Sequence, residues 1–242
     1  MFPRGGYYFA ALLGIAIFAF WPSYFSKLPS GATAYMHAHA VLMVAWMALL
    51  IAQPLLIRAR RNDLHRRLGK VSFVLAPLAV ASALLLAHSR FAPMPAVEFA
   101  QAAPNLYLPF AATALFALTC TLAIAWRRTP PLHARFMVCT GLTLIDPVVA
   151  RIIGLRLPPL PHDWYYPLIG YGLTDAVLLA LVMADQRSQR GRAVFPLMLV
   201  VFGLVHLGYF AFAPTDAWIQ FASWFRALPL TAWQAPPATF VV

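Results

Sequence analysis

The residues able to do chemistry in this chain are histidines and carboxylates set in apolar sequence. Seven histidines occur in 242 residues. His39, His88 and His206 fall at comparable depth in three different apolar runs. Asp146 and Asp175 are carboxylates placed deep inside such runs, whereas Asp63, Glu98, Asp163, Asp185 and Asp216 fall in loops or at helix ends. Ionisable groups in hydrocarbon are costly and tend to face a bundle interior or a wet cavity. Two neutral imidazoles on different helices can ligate a haem iron axially. They can also bind copper or zinc, with a carboxylate as ligand or orienting partner. A third option is a proton path, because Asp and His titrate near neutrality when their surroundings shift them.

Helical phase narrows these options. His37 and His39 are about 200° apart on a helix, so only one can enter a given site. His39 shares its stripe with Met43, Trp46, Leu50 and Gln53, which makes it the candidate. Tyr171 and Asp175 are one turn apart, and Tyr209 follows His206 by three residues, near Gly203, where a flat cofactor or a partner helix could approach. His39, His88 and His206 are therefore the expected cofactor or metal ligands, with Asp146, Asp175 and Tyr209 as the groups expected to serve chemistry. His206 is the expected partner of at least one carboxylate, with Arg151 competing for Asp146. His65 and His133 open two helices among arginines. They form a second candidate pair for a cofactor, or contacts to lipid phosphate.

The elements that must position these groups follow from composition. The chain is 62% hydrophobic and 10% charged, far from the roughly 25% charged of a soluble protein. It is read as an all-α integral membrane bundle. Disorder and collagen-like repeats are excluded by the apolar content and by the aperiodic 21 prolines and 12 glycines. Cys120 and Cys139 lack CxxC or CxxCH spacing, which removes a disulfide framework, a zinc ribbon and covalently attached haem.

A spanning helix needs about 20 apolar residues. Seven runs qualify, roughly 7–25, 34–57, 70–90, 105–126, 134–155, 164–184 and 193–213. The first lacks small residues at a cleavage site and is expected to be an uncleaved helix. Thirteen Lys or Arg residues, from Arg4 through Arg192, fall on one side, against Lys27, Arg90, Arg151, Arg156 and Arg226 on the other. Basic loops stay in the cytoplasm, so the N-terminus is expected inside and the C-terminus outside a bacterial inner membrane. The net charge of +11 is thereby assigned to topology and lipid, with no nucleic-acid partner. A transmembrane domain, 1–213, is followed by an outer tail, 214–242. In the tail Trp218, Phe221, Ala222, Phe225 and Leu228 recur at helical spacing, as in a short amphipathic interfacial helix or a lid.

Leu64-His65-Arg66-Arg67 is echoed by Leu132-His133-Ala134-Arg135, each at a helix start and each followed by a proline, Pro77 and Pro147. His65-Arg66-Arg67-Leu68-Gly69, after a span carrying His37-Ala38-His39 and Gln53, resembles a group of uncharacterised bacterial polytopic membrane proteins with an HRxLG element at a helix start. More loosely, histidines at the ends of consecutive helices resemble transmembrane di-haem b-type cytochromes. That resemblance implies an inner haem at His65 and His133, and an outer one at His39 with His88 or His206. The histidines of the inner pair lie at the extreme helix ends, a departure from the cytochrome pattern.

Seven spans also raise a retinal protein, but Lys27 and Lys70 are the only lysines and neither lies within the last span, so no Schiff base can form there. The expectation is a His-based cofactor protein, b-type haem in electron transfer at the outer half, with a quinone or another redox partner. The alternatives are a copper or zinc site, and a secondary transporter or proton-coupled carrier using the Asp and His groups. Interrupting prolines support the carrier reading.

Overall fold

The computed structural model describes residues 5–28 and 31–231. Arg4 and the tail beyond Thr231 lie outside the described residues. The described residues form eleven α-helices: α1 Gly5–Phe20, α2 Ala34–Arg58, α3 Asn62–Gly69, α4 Ser72–Phe91, α5 Ala96–Ala102, α6 Tyr107–Ala125, α7 Pro130–Leu142, α8 Ile145–Arg156, α9 Tyr165–Asp185, α10 Val194–Ala211 and α11 Asp216–Ala227. Among the described residues there is no strand.

Among the described residues six helical stretches are long and apolar enough to cross a membrane: Ala34–Arg58, Asn62–Phe91, Ala96–Ala125, Pro130–Arg156, Tyr165–Asp185 and Val194–Ala211. Gly5–Phe20 is apolar but shorter. Three of the six are therefore composite. A short helix, α3, precedes α4, and another, α5, precedes α6 through a 3-10 turn at Ala103–Leu106.

The third composite span breaks in its middle, between α7 and α8. The Thr140 hydroxyl donates to the Met137 carbonyl at 2.7 Å and the Thr143 hydroxyl to the Thr140 carbonyl at 2.8 Å, which competes with the helical ladder. Pro147 then offers no N–H to the Thr143 carbonyl four residues back. At the third position of α8 the missing donor is harmless, because first-turn N–H groups have no acceptor within the helix. Pro54 has no serine or threonine upstream in α2, the Ser72 hydroxyl upstream of Pro77 reaches the Gly69 carbonyl at 2.6 Å from the first residue of α4, and both prolines sit inside continuous helices.

Packing follows connectivity. One core joins α1, α2, α4 and α6 through Phe9, Trp46, Leu50, Ala79 and Phe116. A second joins α6, α7, α9 and α10 through Leu115, Phe136, Leu178, Phe195 and Phe202. A third lies at one end, where α11 turns Trp218, Ala222 and Phe225 onto Phe99, Leu106 and Ala87. The apolar face of the tail helix is thus spent on protein, while Trp224 stays exposed. Val200, Leu204 and Leu207 of α10 face outward, as expected of a surface whose solvent is lipid.

Candidate functional site

His39, His88 and His206 do not converge. His39 Nδ1 lies 3.1 Å from the Ser82 hydroxyl of α4, and His37 Nδ1 lies 3.0 Å from the Tyr24 hydroxyl, so the two rings do face different partners. His88, at the end of α4, is turned toward the tail helix. Its Nδ1 meets the Thr231 hydroxyl at 2.7 Å, and its ring stands edge-on to Phe225 at 5.3 Å. His206 belongs to α10, which packs on α9, α6 and α7. Shared depth placed the three rings in one layer, but depth says nothing of azimuth, and each helix turns its imidazole to its own neighbour. Among the described residues no group of three or more His, Cys, Asp or Glu side chains is arranged to hold a metal ion.

What His206 does meet is carboxylate. Its Nδ1 is 3.0 Å from Asp175 Oδ2, and its Nε2 is 3.7 Å from Asp146 Oδ2. Tyr171 lies flat on the imidazole, with ring centroids 4.0 Å apart and planes 11° apart. Thr174 Oγ1 is 2.5 Å from Asp146 Oδ1 and 3.1 Å from the Gly170 carbonyl. Asp146 sits in the first turn of α8, created by the mid-span break, where the positive end of the helix dipole favours a carboxylate. Gly170 lets α8 come close, since a Cβ there would already touch the Asp146 backbone at 3.5 Å. Arg151 stacks over Phe20, with its guanidinium 5.4 Å from the ring, rather than on Asp146. Tyr209 stands beside the cluster, its ring 6.3 Å from that of Tyr171 and its hydroxyl donating to Asn105 at 2.8 Å. At Gly203 no atom of the described residues lies within 4 Å of an added Cβ, so no neighbouring helix packs closely there.

His65 and His133, by contrast, share a space. Both line a cavity of about 790 Å³ at the arginine-rich end of the bundle. Its walls are apolar, with Phe9, Trp46, Leu50 and Met137, and Gln53 and Cys120 also contribute. Arg58, Arg66, Lys70 and Arg127 are the charged groups of its lining, and none of its lining residues is acidic.

Hydrogen bonds set the two rings in opposite tautomers. His133 Nδ1 is 2.8 Å from the Ala123 carbonyl. A carbonyl only accepts, so Nδ1 carries the proton and Nε2 keeps its lone pair. Gln53 satisfies its neighbours with its oxygen accepting from the Gly69 N–H at 3.0 Å and its nitrogen donating to His65 Nδ1 and, at 3.3 Å, to the His65 carbonyl. A neutral His65 therefore carries its proton on Nε2. One ring offers an acceptor and the other a donor.

No protein-family model matches this chain, and no curated protein and no solved structure matches it. The geometry alone therefore supports the functional reading.

One strong feature was missed by sequence reasoning. Arg135 Nε donates to Asp185 Oδ2 and Nη2 to Asp185 Oδ1, both at 2.6 Å, and Nη2 also reaches the Ser188 hydroxyl at 2.8 Å. This buried, two-pronged pair ties the start of α7 to the end of α9. Sequence separation hid it, because an arginine in a basic loop reads as a topology signal.

Proposed function

We propose that the chain is a seven-span protein of the bacterial cytoplasmic membrane that carries a b-type haem in the cavity between His65 and His133. The observation that carries this reading is the cavity itself, because its volume falls in the range of about 300–1,000 Å³ typical of cofactor pockets. Two imidazoles from different helices line it together with Arg58, Lys70 and Arg127, while Arg66 is paired with Asp63. An amphiphilic dianion would suit that pattern, with the apolar lining and the cations Arg58, Lys70 and Arg127 as the residues that would hold it. His133 is the residue that would hold the iron, because its Nδ1–H is anchored on a main-chain carbonyl, which leaves the lone pair on Nε2. His65 presents an N–H, which suits a hydrogen bond to a carboxylate rather than to iron. When bound, the haem supplies a one-electron couple, with a quinone in the surrounding lipid as the expected redox partner.

The seventh crossing is supported by α1. Its start lies beside the end of α2, where Arg58 donates to the Tyr7 hydroxyl at 3.3 Å and Gly6 abuts Ile51. Its end lies beside the far part of α8, where the guanidiniums of Arg151 and Arg156 cover Phe20 and Phe18. These contacts at both ends support a crossing by α1, although its 16 residues make it shorter than its neighbours. With the basic loops inside, the cavity faces the cytoplasm, and the carboxylates around His206 lie toward the outer face.

The test is a preparation from haem-replete cells, purified in detergent, with reduced-minus-oxidised absorption recorded for the wild type and for His133→Ala. A haem band in the wild type that His133→Ala loses is the expected result. A wild-type protein that is folded but has no Soret band overturns the proposal. A cytoplasm-only reporter fused after Arg192 should work and one fused at Val242 should fail; the reverse overturns the orientation.

A further inference from the structure

Four buried side-chain atoms among the described residues make no hydrogen bond, and two of them, Tyr171 Oη and His206 Nε2, belong to stacked rings; a third, Asp175 Oδ1, lies 3.0 Å from His206 Nδ1 on the other side of that imidazole. The fourth, His88 Nε2, lies under the tail helix. Buried polar atoms are almost always satisfied, so such a concentration marks a place where something else supplies the bonds. His206 is 3% exposed, and its free nitrogen is aimed at Asp146 Oδ2 across 3.7 Å. That distance is too long for a direct bond and short enough for one water to touch both atoms.

The surroundings of Asp146 fit two protonation states equally. A threonine hydroxyl has one proton to give. With Asp146 ionised, Thr174 donates to its Oδ1; with Oδ2, the oxygen facing His206, protonated, Thr174 still donates to the carbonyl oxygen Oδ1 or turns its proton to the Gly170 carbonyl. Asp175, meanwhile, accepts from His206 Nδ1–H and holds the ring so that Nε2 is the exchanging nitrogen.

We propose that Asp146 and His206 form a site that binds one exchangeable proton, passed between them through a single bridging water. In one direction the carboxylic acid O–H of Asp146 breaks, the water gives up one proton as it receives another, and an N–H forms at His206 Nε2. Asp146 is left as carboxylate and His206 as imidazolium, so the summed charge of the cluster does not change. The titratable groups around the pair among the described residues are Asp175 and Tyr171 on α9, with Tyr209 on α10 and Tyr107 on α6 beside Tyr171. This inference does not depend on the cavity at the other end of the bundle, and it needs no haem.

Infrared difference spectra of the detergent-purified chain between acid and alkaline buffers follow the carbonyl band of protonated carboxylic acids. One such band should disappear in Asp146→Asn. In Thr174→Val the ionised carboxylate loses a donor, so the midpoint should move up by about one to two pH units, the worth of one hydrogen bond to a charged group. Thr174→Ser should restore it. A purely structural threonine would move thermal stability but not that midpoint. If Asp146→Asn does not fold, the Val and Ser pair decides alone. A midpoint unmoved by Thr174→Val overturns the proposal, as does a band that persists in Asp146→Asn or a titration that follows sodium instead of pH.

Discussion

The two ends of this bundle treat histidine in opposite ways. At the arginine-rich end His65 and His133 have one nitrogen each fixed by an amide or a carbonyl, and both face a shared apolar space. Around His206 both nitrogens are turned to carboxylates, and an aromatic ring covers one face. The first arrangement leaves a ring free to meet a guest. The second commits it to its neighbours and to a proton. The difference teaches that an intramembrane histidine is read by what holds its other nitrogen: a main-chain carbonyl frees Nε2 as a ligand, whereas a pair of carboxylates makes the ring a carrier of charge.

The largest effect that could break this comparison is an exchange of roles. His133→Ala should abolish haem retention, and His206→Ala should leave it intact, as read by the Soret absorbance per mole of purified protein. If His206→Ala loses the haem and His133→Ala keeps it, the assignment of the two ends is reversed.

Next in size is the clamp beneath His133. Arg135 follows that residue by two positions, and its pairing with Asp185 fixes the start of α7 against α9. Breaking a buried ion pair by removing one partner costs about 3–5 kcal/mol, because the other charge is left uncompensated. Asp185→Asn should therefore lower detergent thermal stability by far more than any single change around His206, and haem content should fall with it. Replacement of both partners, Arg135→Met with Asp185→Leu, should recover much of the stability. An Asp185→Asn protein as stable as the wild type would show that α7 is held by its apolar core alone.

Much of the frame was legible in the sequence. The six longer apolar stretches, the helical tail and the contact between His206 and a carboxylate follow from hydropathy, periodicity and the cost of an unpaired charge in lipid. The break between α7 and α8 was only half legible. Pro147 marks it, but Pro54 and Pro77 look the same in sequence, and the deciding hydroxyls of Thr140 and Thr143 act only once a helix exists for them to back-bond. The expected gathering of His39, His88 and His206 failed for a related reason. A span fixes how deep a residue lies, while the neighbour it turns toward depends on which helices pack together, and that is decided by the whole bundle. Arg135 with Asp185 adds a partner 50 positions away, which no local pattern announces.

A smaller effect separates charge from shape around His206. Asp175→Asn keeps an oxygen for the His206 Nδ1–H and should fold nearly as well as the wild type. Asp175→Leu leaves that donor buried and unsatisfied, and should cost about 1–3 kcal/mol. Thermal denaturation of the two purified variants in one detergent checks the order. Equal losses for both would mean that the charge, not the hydrogen bond, is what the bundle needs there.

The smallest expected effect concerns the histidine that depth and phase favoured most. His39 meets Ser82, whose hydroxyl also reaches the Ala79 carbonyl at 2.8 Å within its own helix. A serine proton engaged on that carbonyl leaves the oxygen as an acceptor, so His39 is the donor and the bond joins α2 to α4. Interhelical bonds of this kind average about 0.6 kcal/mol in membrane proteins, since the separated helices also find partners. Ser82→Ala should thus lower stability only slightly and leave the absorption spectrum and the infrared titration unchanged. His39→Phe, which fills similar space without a donor, should behave the same way. A haem band that shifts or vanishes in either variant would instead place His39 within reach of a cofactor, and the contrast between the two ends would have to be redrawn around it.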